Sequence, residues 1–429
     1  MPRDALATAA PNDAQGLRAA LATAFQATRQ RSVDDCNPLE LEDYSLQAAA
    51  FASPPKWHLA HTTWFFETFL LKPFVDAYVT PNPRYEVLFN SYYNGIGDQH
   101  PRHQRGLLSR PGLADVLAYR AHVDAAMLEL LYSATPAIWE AVAERCALGL
   151  EHERQHQELM YTDIKYSLSA NPLYPEFTPQ AAREHTGDAP RDAMWEPFEG
   201  GLREIGYTGE AFAFDNELPR HRVYVEPFEL ADRLVTNAEY QAFVDDDGYA
   251  RPEFWLADGW ALVERERWAS PLHWVERDGV GMEFTLHGLR PREAASPVCH
   301  VSGYEAEAFT RWAGARLPTE AEWECAAADL RLRSRGRDTE GLLHPAAAGP
   351  GERQFFGACW QWTQSAYSPY PGFRPSGGAI GEYNGKFMSN QWVLRGGSCV
   401  TWSSQARSTY RNFFYPADRW QFSGIRLAR

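Results

Sequence analysis

Along roughly the first 170 residues, apolar positions recur at intervals near 3.6, the spacing of an amphipathic helix. The stretch "NDAQGLRAALATAFQATRQRS" (residues 12–32) is rich in Ala, Leu and Gln. "SPPKWHLAHTTWFFETFLLKPF" (53–74) opens on Ser53 and two prolines, which suit a helix entry. Two further long periodic segments follow, "GLADVLAYRAHVDAAMLELLYS" (112–133) and one running over 136–168. Four helices with one long connection, residues 78–110, are the pattern of a four-helix bundle with a crossover loop. From about Phe198 the texture changes. Gly, Pro and Trp become frequent, apolar runs shorten, and β-branched alternation appears in "HRVYVEPFEL". Only "SGYEAEAFTRWAGA" (302–315) and "PTEAEWECAAADLRL" (318–332) read as helical there, the second opened by a capping box of Thr319 and Glu322.

A chain of 429 residues is too long for one ordinary core, so the change of texture is read as a domain boundary. The expected organisation is α+β and multidomain. A helical domain spans 14–170, a polar, Pro-rich linker 171–197, and a loop-rich domain 198–429. The formal charge of −15 argues against a general nucleic-acid surface or an anionic-membrane surface. "MPRDALATAAPNDAQGL" has no apolar run long enough for a secretion signal, and no stretch approaches ~18 uninterrupted apolar residues. Six scattered cysteines without a Cys-x-x-Cys read as buried thiols in a reducing compartment, so a cytoplasmic location is expected.

Candidate chemistry starts at "GLEHERQHQELMYTDIKYSL" (149–168). His152 and His156 lie at i, i+4 and project from one helical face, at metal-binding spacing. A second pair, His58 and His61, lies at i, i+3 in "KWHLAHTTWFF"; both can face inward, and spacing does not choose between them. Two ligands from one helix and one from a neighbour would leave open coordination positions. Histidine-only ligation suits zinc, iron, nickel or copper. His-Glu-x-x-His is also the zinc-protease pattern, with Glu153 as general base. An ordinary zincin, however, draws its third ligand from downstream, where this chain has already changed character.

The segments "FDNELPRHRVYVEPFELADRLVTNAEYQAFV", "PVCHVSGYEAEAFTRWAGARLPTEAEWECAA", "ACWQWTQSAY", "LRGGSCVT" and "SGIRLAR" closely resemble the formylglycine-generating-enzyme-like (sulfatase-modifying-factor) domain. This resemblance covers roughly 198–429 and implies a C-type-lectin-like α+β fold. Oxidase members of that family bind copper through a cysteine pair downstream of Arg-Gly-Gly-Ser. Here no second cysteine follows Cys399, so copper oxidase chemistry is not implied. The first half resembles a DinB-type four-helix bundle. Together, with "SPPKWHLAHTTWFFE", "VLFNSYYNGIGDQHPRHQRGLLSRPG", "HERQHQELMYTDIKYSL", "EYNGKFMSNQWVLRGGS" and "TYRNFFYPADRWQFSGIRLA", nearly the whole chain is similar to the sulfoxide synthases of ergothioneine biosynthesis, the EgtB family.

That resemblance implies one non-haem Fe(II) held by His61, His152 and His156, with His58 packing or supporting the ligands. It implies O2-dependent joining of a cysteine sulfur to the imidazole of hercynine (trimethylhistidine), with oxygenation of the sulfur. Gln155 and Asn412 match substrate-binding residues of the family, which would put the site between the domains. Arg102 and Arg105 match its paired arginines for the thiol's carboxylate. Members using γ-glutamylcysteine carry an acid two positions after the Asn. Here Phe413 and Phe414 follow, so L-cysteine is the expected donor and γ-glutamylcysteine the alternative. The proton donor is expected at Tyr92 and Tyr93, with Tyr367 and Tyr370 as the other candidates. Two readings compete: a zinc-dependent DinB-type hydrolase or thiol transferase, and a binding protein whose bundle is scaffold.

Overall fold

The computed structural model describes residues 14–179, 190–328 and 343–429. The chain forms two compact units. The first gathers Met1–Ala170 with Gly209–Phe214 and Pro375–Tyr383; the second gathers Asn171–Thr208, Asp215–Arg374 and Asn384–Arg429.

The first unit is built on four helices, α1 (Ala14–Asp34), α2 (Pro55–Phe66), α3 (Leu113–Ser133) and α4 (Pro136–Ser169). Helix α2 starts from an extended Pro54 with Pro55 in its first turn, where the missing N–H costs nothing. Every residue of α2 is buried, which is why its sequence is apolar nearly all round. It runs on into a π-helical turn, Glu67–Leu71. Only two residues separate α3 from α4, and so short a connection makes the two helices antiparallel neighbours. In the middle of α4, Gly149 lets α2 come close: a Cβ there would meet the Phe66 ring at 2.5 Å. The connection from α2 to α3 contains a helical turn, Tyr85–Phe89, and a 3₁₀ turn, Arg102–Leu107.

Among the described residues the second unit holds four small sheets. They are β1 (Trp195–Phe198) with β4 (Phe228–Ala231); β2 (Gly201–Ile205) with β3 (His221–Val225); and the meander β5 (Trp274–Arg277), β6 (Val280–Thr285) and β7 (Gly288–Pro291). The fourth runs β10 (Asn412–Phe414), β9 (Trp392–Arg395), β8 (Trp360–Ala366) and β11 (Ser423–Gly424). Its register pairs Asn412 with Leu394 and Phe414 with Trp392. Trp323, Phe355, Leu230 and Ile205 belong to one apolar core. Beside it, buried Arg395 reaches Glu324 at 2.7 Å and buried Arg411 reaches Glu320 at 2.9 Å.

The pattern of the second half led to helices only at 302–315 and 318–332. The structure has α7 (Gly303–Trp312) and α8 (Glu320–Ala327) there, and adds α5 (Asn237–Asp245) and α6 (Ala257–Glu266). Neither added helix exceeds ten residues, too short for a 3.6 period to stand out, although α5 carries its own capping box of Thr236 and Glu239. The end of the 318–332 segment, beyond Ala328, lies outside the described residues. So does 180–189 of the Pro-rich stretch; on either side of it, Phe177 and Thr178 donate backbone N–H groups to Leu286 and Trp195–Phe198 forms β1. All six cysteines are free thiols, and Cys399 is buried, with its backbone N–H donating to Ala358. Among the described residues no helix is long and apolar enough to cross a membrane.

Candidate metal centre

His61 lies inside α2, and its ring is stacked between Trp57 (centroids 4.6 Å apart) and Trp64 (5.5 Å). Its Nδ1 is 2.6 Å from the Phe89 carbonyl, an acceptor only, so Nδ1 carries the proton and Nε2 keeps a free lone pair. One turn apart on α4, His152 packs on Phe65 and His156 lies beside both other rings. The Nε2 atoms of His61 and His152 are 3.2 Å apart, and a ligand atom from each of the three histidines falls within 4.8 Å of the others. His61 and His152 are buried while His156 keeps partial exposure, so the cluster opens on its side.

Burial, reinforced for His61 and His156 by the neighbouring rings, drives their pKa values well below the usual imidazole value; burial takes His152 to about 3. The rings are therefore neutral at pH 7. A neutral pair with Nε2 atoms 3.2 Å apart shares one proton, and a cation taking both lone pairs replaces it. Three neutral imidazoles converging in this way fit a divalent transition metal, without choosing between iron and zinc.

His58, the alternative to His61, belongs elsewhere. Its Nδ1 lies 2.9 Å from His156 Nδ1 and its Nε2 lies 3.1 Å from Asp163 Oδ2. Glu153 is also turned away from any metal water. It is wholly buried and accepts from Arg29 Nη1 (2.9 Å), Arg120 Nη2 (3.0 Å) and Ser32 Oγ (2.6 Å). Burial alone would raise its pKa, but the two guanidiniums and Ser32 overcome that and bring it to about 2. A carboxylate held in this way is a structural charge, so the protease-type general base is excluded for Glu153.

The crossover connection brings further predicted residues into the first unit. Asn90 brackets the tyrosine turn, its Oδ1 accepting from Tyr93 N–H and its Nδ2 donating to Tyr93 O, each at 3.0 Å. Tyr93 is fully buried against Phe69 and Trp64, Tyr92 is stacked on it, and their hydroxyls are 3.4 Å apart. Burial raises the pKa of Tyr93 well above the usual phenol value. Arg105 is buried, donates to Ser53 Oγ at 2.9 Å and lies 3.4 Å over the Trp57 ring. It has no carboxylate partner among the described residues, and burial together with the Arg102 charge pushes its pKa well down. Arg102 itself is exposed. The candidates Tyr367 and Tyr370 lie in the second unit and are engaged there, Tyr367 with Asn216 and Tyr370 with Arg395 and Glu320.

One residue was missed by the sequence reading. Tyr383 ends the late segment that belongs to the first unit, donates its hydroxyl proton to Gln155 Oε1 and stands edge-on to His152 at 5.5 Å. Its neighbour Glu382 accepts from the N–H groups of Asn94 (3.0 Å) and Gly95 (2.7 Å), just after the tyrosine pair. Only the local word "EYNGKF" could have singled it out.

In the second unit, Asn412, Phe413 and Phe414 share strand β10 and are all half-buried. Asn412 Oδ1 accepts from Phe413 N–H at 2.9 Å, Phe413 stacks on Tyr367 at 4.1 Å, and Phe414 meets Trp420 edge-on.

The chain thus joins a helical bundle, holding a three-histidine centre fit for a divalent metal, to a second unit built of small sheets. Residues 24–160 match the DinB superfamily, and residues 197–340 and 341–429 match the sulfatase-modifying factor enzyme 1-like domain. The chain is 32% identical to the hercynine oxygenase of Mycolicibacterium smegmatis, over 96% of this chain and 99% of that protein. It is 32% identical to that of Mycobacterium tuberculosis over 88% and 91%. It is 27% identical to ergothioneine biosynthesis protein 1 of Schizosaccharomyces pombe over 51% of this chain and 28% of that protein. The chain belongs to the hercynine oxygenase family, the EgtB-type sulfoxide synthases.

Proposed function

We propose that this chain joins hercynine to L-cysteine with O2 at a single Fe(II), forming the C–S bond at the imidazole carbon between the two nitrogens and oxygenating the sulfur. The observation that carries this reading is the convergence of His61, His152 and His156, neutral and within 4.8 Å, with Arg105 in the same unit a buried cation that has no carboxylate partner among the described residues. Iron in that donor set would supply the redox chemistry with O2 that zinc lacks.

The protein's own groups divide the remaining work. Arg105, with Arg102 outside it, binds the thiol substrate's carboxylate. Gln155, steadied by Tyr383, orients hercynine, and Asn412 does so from the second unit. The Tyr92–Tyr93 pair holds the proton that diverts the reaction from plain thiol dioxygenation, with a raised pKa keeping Tyr93 protonated. Phe414 offers no charge to an α-ammonium, which favours cysteine over γ-glutamylcysteine. We take 14–170 as the domain carrying the iron ligands, 171–197 as the linker and 198–429 as the domain completing the substrate site. A hydrolase reading is disfavoured because Glu153 is committed to Arg29 and Arg120.

The test is anaerobic loading with Fe(II) or Zn(II), then air, hercynine and either thiol, read by mass spectrometry. A hercynine–cysteine sulfoxide formed only with iron and O2 is expected. Product from γ-glutamylcysteine alone overturns the donor, and no product from either thiol overturns the synthase reading.

A further inference from the structure

The three histidines of the centre are supported in three different ways. His61 Nδ1 donates to a backbone carbonyl, and His152 Nδ1 is buried with no partner among the described residues. His156 Nδ1 faces another imidazole, His58, which in turn faces a carboxylate, Asp163. The chain Asp163–His58–His156 lies inside the first unit, with the Asp163 and His58 side chains only 1% and 5% exposed. Asp163 also accepts the Ser53 backbone N–H at 2.7 Å, just before helix α2, so the carboxylate is fixed at both ends of the reach from α4 to α2.

Proton bookkeeping along this chain has one solution with neutral rings. A carboxylate only accepts, so His58 Nε2 must carry the proton donated to Asp163. A neutral His58 then has only a lone pair on Nδ1, and His156 Nδ1 must be the donor across the 2.9 Å contact. With its proton on Nδ1, His156 keeps an open lone pair on Nε2. The opposite arrangement would leave His156 with its proton on Nε2, closed to a metal.

We infer that Asp163 and His58 are positioning residues that hold the His156 proton on Nδ1 and thereby present Nε2 to the metal. The inference rests on the three-histidine metal reading. Through the relay the buried negative charge of Asp163 strengthens His156 as a donor, in the way carboxylate–histidine pairs support ligands generally. His61, anchored on a neutral carbonyl, lacks that support, so the ligand set is graded.

Two measurements test this without relying on turnover. ¹⁵N NMR of the Zn(II)-loaded wild-type protein should find the His58 proton on Nε2 and the His156 proton on Nδ1. A His58 protonated on Nδ1 overturns the relay and needs no variant. Co(II) titration should then show His58→Phe binding about 10–100-fold more weakly than wild type, with a changed visible spectrum. His58→Asn, whose amide oxygen takes the place of Nδ1, should recover most of the loss. Equal affinity and spectrum in His58→Phe overturn the relay and leave the metal reading standing. A wild-type protein that binds neither Co(II) nor Zn(II) overturns both.

Discussion

Replacing Glu153 with Gln takes one negative charge from a site that holds two buried guanidiniums. Arg29 keeps a second partner in Asp124, at 2.6 Å, but among the described residues Glu153 is the only carboxylate paired with Arg120. Removing one member of a buried ion cluster costs about 3–5 kcal/mol, because the remaining charge stays desolvated. The pKa of Glu153 gives a second route to the magnitude. A fall from the ordinary 4.5 to about 2 corresponds to about 3 kcal/mol, with no discount for solvent because the side chain is wholly buried. For a folded-state pKa that is depressed, this stability is present above pH 4.5 and is lost as pH falls through about 2. In a unit of this size the variant should therefore lose about 6–20 °C in the transition of the first unit at pH 7. The gap between variant and wild type should narrow as the pH approaches 2. Calorimetry across pH, with Co(II) binding measured at low temperature, reads both effects. A variant that unfolds like wild type but has lost all activity would refute the argument and return Glu153 to the role of a base at the metal.

Four further outcomes are expected. Arg105→Leu removes a buried cation that has no carboxylate partner among the described residues, so it should leave stability unchanged or raise it by up to about 2 kcal/mol. Its KM for the thiol should rise about 10–100-fold with the lost charge-assisted hydrogen bonds, in steady-state assays at saturating hercynine. Tyr383→Phe should bind metal normally and raise the KM for hercynine about fivefold, the worth of one hydrogen bond through Gln155. Tyr93→Phe should shift the product mixture toward cysteine sulfinic acid, visible by mass spectrometry as a changed ratio at similar O2 uptake. Phe414→Asp should improve kcat/KM for γ-glutamylcysteine about fivefold, the worth of one partly solvated ion pair, and an unchanged donor preference would count against the reading of that position.

Helices of the first half were legible because α1, α3 and α4 carry a 3.6 period over 20 or more residues, while the shorter α2 stood out by its proline entry and its run of apolar residues. His152 and His156 were legible for the same reason, since one turn of a helix fixes their common face. The choice between His58 and His61 was not legible. Both point inward from α2, and what separates them is the Phe89 carbonyl on one side and Asp163 on the other. The structural role of Glu153 was not legible, because its partners come from α1 and α3, and no local pattern records a contact across 124 residues. In the second half, short strands and helices of ten residues or fewer carry too few periods to read. There the resemblance of scattered motifs, rather than periodicity, pointed to the fold.

Segment Pro375–Tyr383 has a consequence for the order in which the protein becomes competent. The helices bearing His61, His152 and His156 are complete once Ala170 has been made, yet the hydroxyl beside Gln155 and the carboxylate that caps the N–H groups of Asn94 and Gly95 arrive only with that segment. At the usual pace of translation, roughly 200 further residues take about 10–40 s. During that interval the nascent bundle can collapse around its apolar core while the mouth of its histidine cluster stays unfinished. A metal captured early would therefore meet a centre that still lacks the Tyr383 ring beside His152. For the same reason a truncated gene ending at Ala170 would encode the three histidines but neither Tyr383 nor Glu382.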